Sequence, residues 1–243
     1  IFLQSDGALL VGGRFDTVNG VGKKDLVRVL PAGNVDMTFN PPPLPGSVTQ
    51  VAVVTGGKIL VTTGGQLMRF AADGTLDGTF NHPATVGSVY RKWTIDTLDR
   101  IIFFGASSTQ GDRFFRLNSA GNVDTSFNPN VGIFGTASAI VRQPSGQFVV
   151  AGSFASMNGT ARPSFARINS DGSTDLTFDP GTGFDVGPST LAVQSDGKIL
   201  AAGTFTTYNG SPRSGLIRLN SNGTLDAGFS PTVGSVYSIL VQS

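Results

Sequence analysis

Ten of the 33 charged residues in this chain fall in one repeated pair. Arg is followed eight residues later by Asp at Arg28–Asp36, Arg69–Asp77, Arg116–Asp124, Arg167–Asp175 and Arg218–Asp226. Each pair brackets a Gly five residues after the Arg, and each ends in a Phe eleven after it: Phe39, Phe80, Phe127, Phe178 and Phe229. A guanidinium satisfies a carboxylate and nearby carbonyls at once. Such pairs either bind a ligand or build the fold. Presence in every unit favours the structural role, a clamp on a turn or on a neighbouring unit.

Other chemistry is thinly supplied. The 16 acidic residues are all Asp, there is one His (His82) and no Cys. Thiolate metal sites, disulfides and Cys nucleophiles are excluded. A Ser-His-Asp triad would need His82 positioned by the fold, and a lone loop His is expected to do nothing. No unrepeated Asp cluster suggests a glycosidase pair. Sialidase chemistry, with its Tyr–Glu pair, lacks the Glu. The turn at Asn169–Gly172 with Asp175 resembles part of a calcium loop. Its third position is Ala32, Asp73, Ala120, Asp171 or Asn222 across the units, so hairpin turns explain it better. No enzyme activity, cofactor or metal is expected. Three Asn-Gly-Ser/Thr sequons, at Asn158, Asn209 and Asn222, coincide with repeat turns.

The elements that carry these residues are short strands. Gly (33) and Pro (13) are abundant and charged residues are only 14%, against roughly 25% in ordinary globular proteins. Spacings of 41, 47, 51 and 51 residues separate the five Phe. In the last unit, residues 190–194, 198–205, 215–220 and 224–229 read as four strands, with tight turns at 195–197 and 221–223. Units two and three lack the Asn-Gly found at 19–20, 158–159 and 209–210. Four antiparallel strands per 40–50 residues predict an all-β propeller of five four-stranded blades. The blades fall at about 1–47, 48–88, 89–137, 138–187 and 188–234 in one domain. Residues 1–5 and 239–243 occupy the same place in the pattern, and the chain opens mid-pattern. The expectation is a piece of a longer chain, with 235–243 closing the ring by strand exchange and 1–5 displaced.

Residues 193–229 resemble a Delta-60 repeat, a bacterial and bacteriophage β-propeller family; 3–39 and 142–178 resemble it nearly as well. Units two and three keep only its second half. The resemblance implies a propeller in a secreted, cell-surface or virion protein, and no defined reaction.

Recognition is expected where units depart from the pattern. Arg142 stands where other units have Leu3, Val53, Ile95, Val193 or Val241, and Arg91 and Lys92 add charge to a first strand. These three form a candidate basic lining of a central channel. The Asn158 and Asn209 loops, with Met157 and Tyr208, are a second candidate. Trp93, the only Trp, aligns with apolar strand positions and is expected in the core. A net charge of +1 gives no case for nucleic acid, and no apolar run spans a bilayer. The partner expected is a protein or glycan surface, met by a non-enzymatic extracellular module. A carbohydrate-active enzyme and a passive adhesin spacer are the alternatives.

Overall fold

The computed structural model describes residues 1–81, 90–107, 111–127 and 132–241; side chains at 90–91, 105–107 and 111–112 lie outside this description. His82 falls outside the described residues, as does the side chain of Arg91. Among the described residues the structure is antiparallel β with one short 3-10 turn, Thr55–Gly57.

Five sheets follow the five repeats. Phe2–Leu3, Leu9–Gly12 and Leu26–Val29 form the first; Val48–Val53, Ile59–Thr63 and Gln66–Phe70 the second. Tyr90–Ile95, Ile101–Ser107 and Gly111–Leu117 form the third. Ile133–Arg142, Phe148–Met157 and Phe165–Ile168 make the fourth, which Thr160–Ala161 joins at the side. Thr190–Val193, Ile199–Ala202 and Leu216–Leu219 make the fifth. The middle strands are the apolar runs seen in the sequence. Ile59–Thr63 is buried at every position, because a strand flanked on both sides and covered on both faces has no wet face.

Two expectations about strands are corrected. Each repeat has three principal strands and not four. The fourth segment makes a single bridge, Val29↔Val35, Phe70↔Leu76, Leu117↔Val123, Ile168↔Thr174 or Leu219↔Leu225, and then turns away. The next residue is the repeated Asp. Its N–H goes to the Arg carbonyl (Asp36 to Arg28, 2.9 Å) and its carboxylate caps the N–H two residues on (Thr38, 2.8 Å). That Asx turn competes with a continuing ladder and wins. Strand exchange is the second correction. Residues 1–5 are not displaced: Phe2 pairs with Leu10 and Leu3 with Leu9. The tight turn at Gly7 (φ +84°) closes this hairpin locally, at a far smaller loop-closure cost than a partner over two hundred residues away. Residues 230–241 form no strand.

The Asn-Gly pairs form small side hairpins. Thr17–Val18 with Val21–Gly22, and Thr207–Tyr208 with Ser211–Pro212, turn through Asn19-Gly20 and Asn209-Gly210, all at positive φ. That is the type I′ geometry which Asn-Gly favours.

The chain divides into two compact units. One comprises residues 1–90 with 119–122; the other comprises 91–118 with 123–243. In the first, the core gathers Leu10, Leu26, Phe39, Val48, Ile59, Val61 and Phe70. In the second, Phe165, Phe178, Phe184, Phe205 and Tyr208 pack ring to ring beside Ile199, Ile217 and Leu219. Trp93 is buried there too, as its alignment implied.

Candidate functional site

The five Arg-Asp-Phe sets form the same cluster each time. Arg Nε donates to Asp Oδ2 at 2.7 Å (Arg28–Asp36), 2.8 Å (Arg69–Asp77), 2.8 Å (Arg116–Asp124), 2.9 Å (Arg167–Asp175) and 2.8 Å (Arg218–Asp226). The other carboxylate oxygen accepts from a hydroxyl two residues on: Thr38, Thr79, Ser126 and Thr177, each at 2.6 Å. In the last repeat Gly228 supplies only its N–H, at 3.0 Å. The guanidinium lies over the repeat's own Phe, 4.6–4.9 Å from the ring centroid, within cation–π range.

Four of the five arginines also reach the next repeat. Arg28 Nη1 donates to the Ala72 carbonyl (2.6 Å) and Arg167 Nη1 to that of Ser221 (2.6 Å). Arg69 does the same to Ser119 and Arg116 to Ser170. The acceptor is always the third residue after the next Arg. Two places further on sits the repeated Gly, and the preceding Phe packs on it. A Cβ at Gly74 would lie 3.1 Å from Phe39, at Gly121 3.0 Å from Phe80, at Gly172 3.2 Å from Phe127 and at Gly223 2.8 Å from Phe178. These glycines are also at φ near +91°. At these four positions the Gly is therefore doubly required, by its own turn and by the ring that covers it.

Electrostatics agree with a structural clamp. The Thr38 hydroxyl, with the Thr38 N–H and Arg28, outweighs burial and lowers Asp36 to about 2. Lys198 and Arg218 hold Asp226 at about 2. Asp77 is held well below the usual carboxylate range by Thr79, Lys58 and Arg69. Burial opposes ionisation of Asp175, yet Thr177 and Arg167 win and its pKa is lowered. None of these carboxylates is poised to take or give a proton near neutrality.

The recognition candidates are dispersed. Lys92 is exposed on Tyr90–Ile95. Arg142 ends Ile133–Arg142 opposite Phe148, and its Nη2 lies 3.7 Å from the place of a Cβ on Gly146 in its own hairpin turn. Its Nε is buried without a hydrogen-bond partner among the described residues. The Asn158 amide donates to the Gly172 carbonyl (3.0 Å) and its Oδ1 accepts from Gly132 (3.2 Å). Asn209 Oδ1 accepts from the Thr182 N–H (3.2 Å). Asn158 thus ties its side hairpin to the Gly172 turn of its own repeat, as Asn19 does by donating to Gly33 (2.8 Å), whereas Asn209 holds Thr182 in the stretch before its repeat.

A further departure from the pattern was overlooked by the sequence reading. The side hairpin of the first repeat carries Arg14, Asp16, Lys24 and Asp25 where the fourth has Ser153, Ala155, Pro163 and Ser164 and the fifth has Thr204, Thr206, Ser214 and Gly215. Superposing repeats one, four and five residue by residue would have found them. In the structure they gather. A cavity of about 320 Å³ is lined by Arg14, Phe15, Asp16, Lys24, Asp25 and residues 44–47. A second, of about 330 Å³, shares Lys24 and Leu44 and is walled by Lys23 and the prolines at 41–43. Lys23 is committed, donating to the Phe39 carbonyl (3.0 Å) and Asn40 Oδ1 (2.7 Å). Arg14, Asp16 and Lys24 are exposed. By contrast, the cavity of about 350 Å³ beside Arg167 and Asp196 is walled by amides already in use. There Gln143 donates to Gly197 (3.3 Å) and Ser221 (3.1 Å), and Gln147 to Asp175 (2.5 Å).

Comparison with known proteins places these repeats. Residues 4–39, 143–178 and 194–229 match the family described as domain of unknown function (DUF5122) beta-propeller. These three stretches are thus similar to repeats of a β-propeller family. Each matched stretch ends on the Phe of a clamp. No curated protein matches the chain. Among solved structures, a streptogramin B lyase superposes with a TM-score of 0.54 at 17% identity, over 85% of this chain and 62% of the lyase. The gluconolactonase XC5397 of Xanthomonas campestris superposes at 0.55 and 14% identity, over 92% of this chain and 72% of that one. The extracellular domain of BT4673, a hybrid two component system of B. thetaiotaomicron, gives 0.55 at 14%, over 94% of this chain and 31% of that one. The chain thus spans less than two thirds of the lyase and less than one third of the BT4673 domain. At such identities the likeness is one of fold.

It nevertheless corrects one expectation. Scarcity of His and absence of Glu and Cys predict no enzyme activity. The lyase and the lactonase are enzymes on this same fold, so the architecture hosts catalysis and composition alone does not exclude it. Function on a shared scaffold lies in side chains grafted onto it.

Proposed function

We propose that the chain is a five-bladed propeller of Delta-60-type repeats that works as a recognition module outside the cell, in a bacterial surface protein or a virion. Its partner is a protein or a glycan. The observation that carries this reading is the division of labour among charged residues. The repeated Arg and Asp are spent on the clamps, whereas charges unique to one repeat gather around the paired cavities at Arg14, Asp16 and Lys24. Two cations and two acids, Arg14 and Lys24 with Asp16 and Asp25, on a proline-walled cleft suit a polar ligand rich in hydroxyls or amides, which both donate and accept hydrogen bonds. The fold likeness to an extracellular domain supports the location, and the absence of Cys is compatible with it. Arg142 and Lys92, on separate strands, are second and weaker contact candidates.

The test exchanges the unique charges for the residues of the other repeats. The triple substitution Arg14→Thr, Asp16→Ala, Lys24→Ser is expected to abolish binding on glycan arrays and to host-surface extracts while leaving the melting temperature within about 2 °C. Unchanged binding would move the site to Arg142 and Lys92. No binding by either form would favour a passive spacer. The lyase and lactonase likenesses favour a second reading, a carbohydrate-active enzyme; product release from a panel of polysaccharides and lactones would support it.

A further inference from the structure

Carboxylates in this chain are almost all in use. Each Asp of a clamp holds an arginine, and Asp6, Asp73, Asp171, Asp185 and Asp196 each accept a backbone N–H at a turn. Among the described residues, Asp16 and Asp25 alone take no hydrogen bond and no ion pair through their side chains, and both line the cavity of about 320 Å³. Asp16 is exposed to solvent. Asp25 is only 4% exposed. Burying a carboxylate without a hydrogen-bond donor is costly, and a buried polar group left without a partner calls for a physical reason. The Asp25 oxygens are not sealed in; the open space beside them is the cavity.

The other repeats show why this place is special. Asp25 (φ +61°) stands where the fourth repeat has Ser164 (φ +63°) and the fifth Gly215 (φ +70°). The backbone is tied alike in all three: the N–H donates to Phe15, Phe154 or Phe205, and the carbonyl accepts from Gly13, Gly152 or Gly203. What covers the position differs. Ser164 Oγ donates to the Phe184 carbonyl (3.3 Å). A Cβ at Gly215 would fall 1.8 Å from the Gly234 carbonyl oxygen, so the linker fills that space. In the first repeat the matching carbonyl, of Gly46, is held instead by the Thr63 hydroxyl. The space beside Asp25 stays open as the cavity. A left-handed position is most easily Gly, and Asp is among the residues that tolerate it.

The rest of the lining selects what could supply the missing donors. Arg14 and Lys24 face the same cavity, and Phe15 is half-buried on its wall. An anion would meet Asp25, and an ammonium or guanidinium group would meet Arg14 and Lys24. A calcium ion needs six or more oxygens, here beside two cations. Adjacent hydroxyls on a sugar ring suit both signs. Two O–H groups donate to the two oxygens of one carboxylate, and hydroxyl oxygens accept from Arg14 and Lys24. The Phe15 ring offers an apolar wall to the C–H face of the sugar. Resting on the cleft reading above, we infer that this cavity binds a neutral saccharide, with Asp25 accepting from two adjacent ring hydroxyls.

The test titrates the full chain with methyl glycosides of glucose, galactose and mannose, with sulfated and uronic-acid sugars, with oligolysine and with calcium chloride, read by calorimetry and ligand-observed NMR. A neutral glycoside is expected to bind. Single deoxygenation of that glycoside at C2, C3 or C4 should cost about tenfold or more at two adjacent positions and little at the third, because a site built for a hydroxyl rejects the analogue without it. Asp25→Asn should weaken binding about tenfold or more; Asn tolerates the left-handed backbone, and the melting temperature checks the fold. The deoxygenated series uses the unaltered chain and decides the matter if the variant misfolds. Glycoside binding that neither deoxygenation nor Asp25→Asn weakens overturns the inference. Binding of acidic sugars, oligolysine or calcium alone, lost in the triple substitution of Arg14, Asp16 and Lys24, overturns it and keeps the cleft as the recognition site. Glycoside binding that the triple substitution and Asp25→Asn both leave intact overturns the cleft as well. No glycoside binding at all overturns the inference.

Discussion

The fourth and fifth repeats carry the same clamp in different surroundings. Arg167 and Arg218 both hold an Asp eight residues on and cover a Phe eleven residues on. Arg167 also grips the Ser221 carbonyl and Gln143, and its Phe178 is sealed on Gly223. Arg218 has neither grip. Its side chain is 24% exposed against 11% for Arg167. The pair teaches that the motif has a local job and a bridging job. The Arg-Asp bond fixes a turn within one repeat; the spare guanidinium arm and the ring hold the next repeat in register.

Removing the arginine should separate these jobs most widely. Arg167→Ala leaves the buried Asp175 carboxylate without its cation, held only by Gln147 and Thr177, and releases Ser221, a loss of about 3 kcal/mol. Arg218→Ala, with Lys198 still 3.0 Å from Asp226, should cost about 1 kcal/mol or less in dilute solution. Urea denaturation at submicromolar chain would measure both. Equal losses would show that the Arg-Asp bond alone carries the energy.

The rings come next. Phe178 is fully buried, so Phe178→Ala should cost about 3–5 kcal/mol. Phe229→Ala removes a half-exposed ring and should cost about 1 kcal/mol, the share of transfer energy that partial burial returns. Equal costs would mean that the cation–π contact, common to both, dominates over packing on glycine.

Much of this was legible in the sequence. Fixed offsets of five, eight and eleven residues marked Gly, Asp and Phe as parts of one device, and Asn-Gly marked the side hairpins. The structural role of Arg and Asp followed from their repetition. What the pattern did not carry was the direction of the spare guanidinium arm, since a contact between repeats leaves no trace in spacing within one. The fourth strand was misread because Leu-Asp-x-x-Phe has strand composition, while the Asp side chain bends the backbone away after one bridge. The cleft at Arg14 and Lys24 leaves no signature in the repeat offsets, and its prolines lie in a linker that no other repeat shares.

Glycine substitutions sharpen the comparison by a smaller amount. Gly33 and Gly223 have nearly the same backbone, at φ +85° and +91°. Ala at either meets the left-handed penalty of about 1–2 kcal/mol. At Gly223 the new Cβ also falls 2.8 Å from Phe178, which adds about 1–3 kcal/mol of overpacking. Gly223→Ala should therefore be the worse by that margin, read from urea midpoints; equal losses would show that the ring moves aside freely.

The smallest effect is the acid dependence of the clamps. Asp36 and Asp226 sit at about 2 in the folded chain and near 3.9 when unfolded. A lowered folded pKa means that the unfolded chain binds protons first as pH falls. The clamps' ionic contribution is complete above about pH 4 and is lost progressively as pH drops from 4 through 2. Melting temperature should be flat from pH 7 to about 5 and decline below 4. The two repeats reach the same value by different routes, Asp36 chiefly through the Thr38 hydroxyl and Asp226 chiefly through Lys198. Thr38→Val should raise the folded pKa of Asp36 and leave Asp226 unmoved, whereas Lys198→Met should do the reverse. Carboxyl carbon chemical shifts followed from pH 5 to 1.5 would read each separately. A shift at both sites from either change would show that the clamps titrate as one connected network and not repeat by repeat.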